Sequence, residues 1–361
     1  MQKYKKIIIG LVVVVLIILG VSFSKSSNTP EGTVKIGVVS SLTGPWPEVG
    51  EAFKNGTVLA IEDYKLKNNN KFQIIVEDDG VDLKKGLTAY KKLTELDKVD
   101  AMINLSSPTL EPMIPLLKNT DMPFVQIFEQ PKTPSDNRIV QISPYTVDSA
   151  SELARMLESK FSSKDITFVY TQDPTVSIYL DNFEKGLVDK NINKQAVIKN
   201  SRDMKSTAIS VASSKPKVIV IALFEESIPL FIKEYEKIKN SDTKYAFMFV
   251  SSSLSQHKKI LGDTNKLNGT IVPVFKEYSS QVFRDKYKKR FGIDPVIGAE
   301  YGYDSISLLV ETYNKDPKTW QKNILSKSFT GESGFIQFND LGLRKPEFKF
   351  KEIVNGELPV Y

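Results

Sequence analysis

The chain has 361 residues, 41% of them hydrophobic and 25% charged, which is enough to bury a large core and to form two lobes rather than one. Its formal charge of +6 includes Lys3, Lys5 and Lys6 at the extreme N-terminus. The other lysines are interspersed with acids in runs such as KEYEKIK, so a nucleic-acid partner is excluded. With no cysteine, disulfides, zinc–thiolate sites, thiol nucleophiles and an acylated lipoprotein anchor are excluded as well.

In chain order, the three lysines precede an unbroken apolar run, residues 7–21, followed by Ser22, Ser24 and a polar stretch. A positive flank, an apolar stretch and small residues describe a secretory leader. The run is long for a signal core and short for a membrane span of ~20 residues. Residues 1–24 are therefore read as a cleaved signal peptide or a retained anchor, and 25–33 as a linker. In both cases the positive-inside rule places residues from 25 onward outside the cytoplasm.

Residues 34–40 read as a buried strand, Thr43-Gly44-Pro45 as a turn, and the next stretch as a helix with Val49, Ala52, Phe53, Gly56 and Ala60 on one face. A strand entering a helix through a tight turn puts that turn at the C-terminal edge of a parallel sheet, where open α/β folds bind ligands. Further strands are predicted at 72–77 (FQIIVE), 99–105 (VDAMINL), 123–128 (PFVQIF), 166–170, 218–223 and 245–250. Helices are predicted at 83–96, 110–118, from about 147, at 179–190 and at 228–239. Such alternation means βαβ units, and a split near Ser143-Pro144 gives two doubly wound lobes of α/β class.

Catalytic signatures are missing. The sole histidine, His257, lies in a polar, helical stretch, and the chain has no serine elbow, phosphate-binding loop or dinucleotide fingerprint. Gly331-Glu332-Ser333-Gly334 has the wrong spacing for an elbow and enters a strand. Asp78-Asp79 is read as a cap for the helix at Leu83 rather than a metal pair. Catalytic residues, metals and cofactors are therefore not expected.

The stretch TVKIGVVSSLTGPWPEVGEAFKNGTVLAIEDY resembles the opening of the periplasmic solute-binding proteins for branched-chain amino acids, in the type I superfamily. VEDDGVDLKKGLTAYKKL, PVIGAEYGYDSISLLVETY and GESGFIQFNDLGLRKPEF are similar to later segments of that family. The resemblance implies a type I periplasmic binding protein fold, with two doubly wound parallel-sheet lobes joined by a three-crossover hinge. Carried over, it gives 34–143 plus 278–328 to lobe 1, and 144–277 plus 329–361 to lobe 2. It implies an extracytoplasmic monomer that captures a small polar metabolite, an amino acid or amide-like compound, in the interlobe cleft. Delivery to an ABC permease in the membrane follows, with no chemistry performed. The alternatives are a membrane-anchored sensing receptor of the same fold and, less favoured, a hydrolase on this scaffold.

The resemblance also marks site residues. Ser106 and Ser107 match a loop whose serines hold the ligand's carboxylate in the family, although Ser107 also suits a helix cap before Pro108. The next loop departs from the pattern, with Phe128, Glu129, Gln130 and Pro131 where the family has small residues and a threonine. A carboxylate at Glu129 repels a ligand carboxylate when both are desolvated. Ser252, in the run 251–253, stands where the family places an acid for the ligand's ammonium. Trp46 is expected to wall the pocket, Tyr179 lies near a family tyrosine at a helix start, and Phe224 and Glu225 are expected to face the cleft. Together Glu129 and Glu225 make that cleft acidic.

Overall fold

Two six-stranded sheets, each wound in the same order, organise the chain. The computed structural model describes residues 32–67, 72–129, 137–198, 201, 203–223, 227–239, 242–248, 258, 260–276 and 279–359. The apolar run at 7–21, Gln130, Phe224, Glu225, Ser252 and His257 lie outside the described residues. Met1–Val34 is one unit, and Lys35–Tyr361 is a second that carries both sheets.

The first sheet begins with β1 (Val34–Ser40), α1 (Pro47–Lys67), β2 (Phe72–Asp78), α2 (Leu83–Lys91) and β3 (Ala101–Asn104). Two short helices, α3 (Ser107–Leu110) and α4 (Ile114–Leu117), lead to β4 (Phe124–Gln126) and β5 (Ile139–Pro144). The second sheet is fed by α5 (Asp148–Glu158), β6 (Ile166–Thr171), α6 (Pro174–Gly186) and β7 (Asn193–Val197). It continues through α7 (Lys205–Ser213), β8 (Val218–Ala222), α8 (Ser227–Tyr235), β9 (Lys244–Phe247) and β10 (Ile271–Phe275). The chain then makes α9 (Gln281–Phe291), α10 (Ala299–Thr312) and α11 (Pro317–Ser326), a hairpin of β11 (Phe329–Gly331) and β12 (Gly334–Ile336), and finally β13 (Leu343–Arg344) and β14 (Phe348–Glu352).

Strand order is β13-β5-β4-β3-β1-β2 in one sheet and β14-β10-β9-β8-β6-β7 in the other. The pairs β1–β3, β3–β4, β4–β5 and β5–β13 of the first sheet and β7–β6, β6–β8, β8–β9 and β9–β10 of the second run parallel, and β14 joins β10 antiparallel. Strand β8 shows why these sequences read as unbroken apolar runs. Val218, Val220 and Ala222 enter a core with Leu153 and Phe183 of α5 and α6, while Ile219 and Ile221 enter another with Ala208 and Phe231 of α7 and α8. Both faces of the strand are covered, so alternation disappears.

Helices α9 and α10 return to the first sheet. Gly56 of α1 meets α10 so closely that a Cβ would stand 1.9 Å from the Ala299 carbonyl oxygen. Arg290 of α9 grips Glu62 of α1 through two bonds of 2.8 Å, and Lys286 reaches Asp63 at 2.6 Å.

Several expectations change. The helix at 110–118 is two separate turns, α3 and α4, because Pro115 offers no N–H to the Glu111 carbonyl and its ring collides with it. The helix predicted at 179–190 starts earlier, at Pro174, where Asp173 caps it by accepting from the Thr175 N–H. The helix at 83–96 is α2 extended by one π turn, Lys92–Leu96. Assigning all of 329–361 to the second lobe is corrected too: β13 pairs in parallel with β5 in the first sheet, and only β14 joins the second. The buried Arg344 guanidinium fixes β13 there, donating to the carbonyls of Ile142, Ser333 and Phe335.

Candidate functional site

In the first sheet β1 lies between β2 and β3, so the connections leaving β1 toward β2 and leaving β3 toward β4 diverge and open a crevice at the strand C-termini. The register there pairs Val39 with Asn104, Asn104 with Gln126, and Gln126 with Gln141. Two residues further on, just past the ends of β1, β3 and β4 and still within β5, the same alignment carries Ser41, Ser106, Phe128 and Ser143 along the sheet edge. The Oγ atoms of Ser41, Ser106 and Ser143 are buried and have no hydrogen-bond partner among the described residues. Exposure of these residues is 1%, 2% and 5%. A buried hydroxyl without a partner is costly, of order 1–3 kcal/mol, so three along one edge single this edge out as the candidate site.

A buried polar ladder carries this row. Asn104 Nδ2 donates to Gln126 Oε1 at 2.8 Å and to the Ser106 carbonyl at 2.8 Å. Thr109 donates to Asp79 Oδ2 at 2.8 Å, and its hydroxyl also lies 3.2 Å from the Ser106 carbonyl. Gln141 Nε2 donates to the Ser143 carbonyl at 3.3 Å. All five side chains are fully buried. The ladder takes up the serine carbonyls and leaves their hydroxyls turned to other use.

Asp78 organises the neighbouring loop. It accepts from the N–H groups of Leu42, Thr43 and Gly80 and from the Thr43 hydroxyl at 2.6 Å. Burial pushes its carboxyl up, but these donors together hold it below the ordinary carboxylate value. Gly44 has φ of 89° and sits against the 78–82 turn, where a Cβ would be 2.4 Å from the Gly80 oxygen. The expectation that Asp78 and Asp79 cap the helix at Leu83 is thus corrected. Asp82 caps α2, accepting from Lys84 and Lys85, whereas the earlier pair braces two loops.

Among the predicted site residues, Ser106 stands in the row as the N-cap of α3, and its side chain makes no capping bond. Ser107 is the first helical residue, not the cap. Trp46 lies on the loop leading into α1 with half of its surface exposed. Glu129 leaves the end of β4 and meets a residue the sequence did not single out: Thr146 donates to Glu129 Oε1 at 2.5 Å. Tyr179, in the second turn of α6, lies 2.5 Å from the Thr146 hydroxyl and 3.3 Å from Glu129 Oε1. Burial, and then the Glu129 charge, push the Tyr179 phenol well above its usual value, so it stays protonated and donates. Phe128 packs edge-on against Tyr301 of α10, with ring centroids 6.4 Å apart. The structure thus brings Glu129 to Tyr179, and it adds Ser41, Ser143 and Thr146. Of these, only Ser143 carried a signal, the Ser-Pro break where the apolar pattern splits.

The three segments passing between the sheets run side by side close to this edge. Tyr145 N–H donates to the Arg344 carbonyl at 2.8 Å, and Lys276 N–H donates to the Glu347 carbonyl at 2.9 Å. Crossings one and three are therefore bonded through the backbone, and crossings two and three through the backbone and a Lys276–Glu347 ion pair of 2.9 Å. A separate cavity of about 490 Å³ lies between α1, α10 and the 329–332 turn and contains none of the serine row. Its acids are already engaged: Asp63 by Lys286 and Tyr303, Asp304 by Ser333, Glu311 by Lys327, and Glu332 by Ser280. The serine row, by contrast, has unspent hydrogen-bonding capacity. Among the described residues there is no cluster of acids or histidines able to hold a metal ion, and no helix long and apolar enough to cross a membrane.

Comparisons with known proteins agree with this architecture. Residues 33–321 match the family model described as periplasmic binding protein. No curated protein matches the chain. Among solved structures, the branched-chain amino acid transporter substrate-binding protein LivJ from Streptococcus pneumoniae, in complex with isoleucine, superposes with a TM-score of 0.68 at 14% identity. That superposition covers 90% of this chain and 97% of the other. A solute-binding protein of an ABC transporter from R. palustris, in complex with benzoate, gives 0.68 at 16% identity over 90% and 94% of the chains. An amino acid ABC transporter substrate-binding protein from Pseudomonas fluorescens gives 0.70 at 14% over 89% and 91%. The doubly wound lobes, the three bonded crossings and the family match together make this chain a member of the periplasmic binding protein family, with the type I fold.

Proposed function

We propose that the chain is the extracytoplasmic solute-binding component of an ABC importer. It captures a small polar metabolite, an amino acid or amino-acid-like amide, between its lobes and releases it unchanged. The row of buried, unpartnered hydroxyls on Ser41, Ser106 and Ser143 carries this reading, because it lies at a topological switch point beside the hinge. Ligand contacts are assigned to Trp46, Ser106, Ser107, Glu129 and Tyr179, and from the sequence to Gln130, Phe224, Glu225 and Ser252. Binding energy favours the closed form, and the permease reads that form. Isoleucine and benzoate in the similar structures support a small-molecule cleft without fixing its ligand.

A sensing receptor held in the membrane is the second reading, favoured by the lysine-flanked apolar run at 7–21. The test is mass spectrometry of small molecules released on denaturing the purified protein, followed by X-ray scattering with the released compound added back. A smaller radius of gyration and an unaltered compound are expected. Superimposable curves, or conversion of the compound, would refute ligand-driven closure without chemistry.

A further inference from the structure

Glu129, Thr146 and Tyr179 form a directed chain of hydrogen bonds. Thr146 has one hydroxyl proton and donates it to Glu129 Oε1 at 2.5 Å. Tyr179, 2.5 Å away, must then be the donor to Thr146, and its raised pKa keeps that proton in place. The Thr146 proton is thereby spent on the carboxylate and the Tyr179 proton on the Thr146 oxygen behind it. Thr146 at the first crossing and Tyr179 on α6 hold Glu129 from two sides. Two residues separate Ser143 from Thr146, a span of at most ~11 Å of extended chain over three steps, so the carboxylate stands near the serine row. Its other oxygen, Oε2, makes no hydrogen bond to a described residue, and a carboxylate oxygen can only accept. The serine hydroxyls can each donate or accept.

We infer that Glu129 makes the hinge side of the cleft an acceptor-only, negatively charged pole. The inference rests on the cleft-binding reading above and narrows its ligand class. The ligand places a donor-rich group there, a primary ammonium, amidinium or carboxamide, and lays an acceptor over Ser41, Ser106 and Ser143. A free carboxylate is refused at Glu129 because desolvated like charges repel. The hydrogen bonds that pin Oε1 keep the charge from turning away.

The test uses pairs of one shape and opposite head group: benzamidine against benzoate, and isoamylamine against isovalerate. Thermal shift and calorimetry are run on the full chain and on Glu129→Gln. The cationic member is expected to bind the wild type saturably and to weaken by about tenfold or more in Glu129→Gln, as for loss of a charged hydrogen bond. The carboxylates should not bind the wild type. Thr146→Val, which keeps the charge and removes the pin, should weaken the cations less than Glu129→Gln does; equal loss in both would overturn the charge as the determinant. Carboxylates binding the wild type as well as their cationic partners, or cations indifferent to Glu129→Gln, would overturn the pole and leave cleft binding standing. Absence of any shift also overturns the pole, and the released-compound experiment then judges cleft binding separately.

Discussion

Asp304 on α10 offers a quantitative test of how the third crossing is anchored. The side chain is 1% exposed and accepts from the Glu332 N–H at 2.8 Å, the Ser333 N–H at 2.7 Å and the Ser333 hydroxyl at 2.5 Å. Arg344 donates to the same Ser333 oxygen at 2.9 Å, so the carboxylate ties the β11–β12 hairpin to β13 and to the hinge. Burial pushes the carboxyl from its ordinary 3.8 up to about 6, the Ser333 and Glu332 donors and the Arg344 charge recovering only part. Between those values the folded protein holds a proton that the unfolded chain has released. The stability contributed by the neutral acid is therefore present below pH 4, falls as pH rises through 4 to 6, and is lost above. The span corresponds to about 3 kcal/mol at about 1.36 kcal/mol per pH unit. Asp304→Asn removes the titration and retains one acceptor oxygen. Urea unfolding of both proteins between pH 4 and 7.5 should show the stability of the variant, relative to the wild type, rising by about 3 kcal/mol. Comparing the two cancels Asp78, Glu62 and Glu158, whose values are lowered and whose contributions run the opposite way. A variant whose stability relative to the wild type stays constant or falls as pH rises would refute the argument that burial dominates this carboxyl.

Thr109→Val keeps the volume but leaves buried Asp79 Oδ2 without the one proton that the Thr109 hydroxyl donates to it, so urea unfolding at neutral pH should show a loss of about 2–3 kcal/mol. A change under about 0.5 kcal/mol would show that the ladder does not depend on this hydroxyl. Trp46→Ala, at a half-exposed position, should leave stability within about 0.5 kcal/mol and weaken binding of the released compound in calorimetry; unchanged affinity removes Trp46 from the cleft.

The parts of the fold legible in the sequence were those where burial leaves no room for polar residues. Strand β8 reads as VIVIA because both of its faces are covered, and β1 is equally plain. Strand β5 was hidden because Gln141 and Ser143 interrupt its apolar pattern, although both are buried. Strand β13 spans two residues, too few for any periodicity, and its place comes from the Arg344 contacts made across the fold. At the site, Ser106 and Glu129 were visible through departures from, or matches to, a familiar loop. Ser41 was not, and Ser143 showed only as the Ser-Pro break between the lobes, since a serine after a strand usually caps or turns the chain and only the sheet register aligns the two. Thr146 is a single hydroxyl whose meaning depends on Glu129 and Tyr179 arriving from separate segments.

The same physics explains why the serine row sits where it does. Asn104, Gln126 and Gln141 are poor choices for the middle of a sheet on hydrophobic grounds, and each buried amide must be repaid by hydrogen bonds. Here the Asn104–Gln126 bond and the amide bonds to the Ser106 and Ser143 carbonyls satisfy them one layer below the edge. An apolar layer would pack as well, but it would leave those carbonyls to capture the serine hydroxyls or to remain unpaired. The amide layer therefore keeps the hydroxyls available above it. A layer of leucine-like residues at these positions should yield a folded protein whose edge no longer recognises a polar guest.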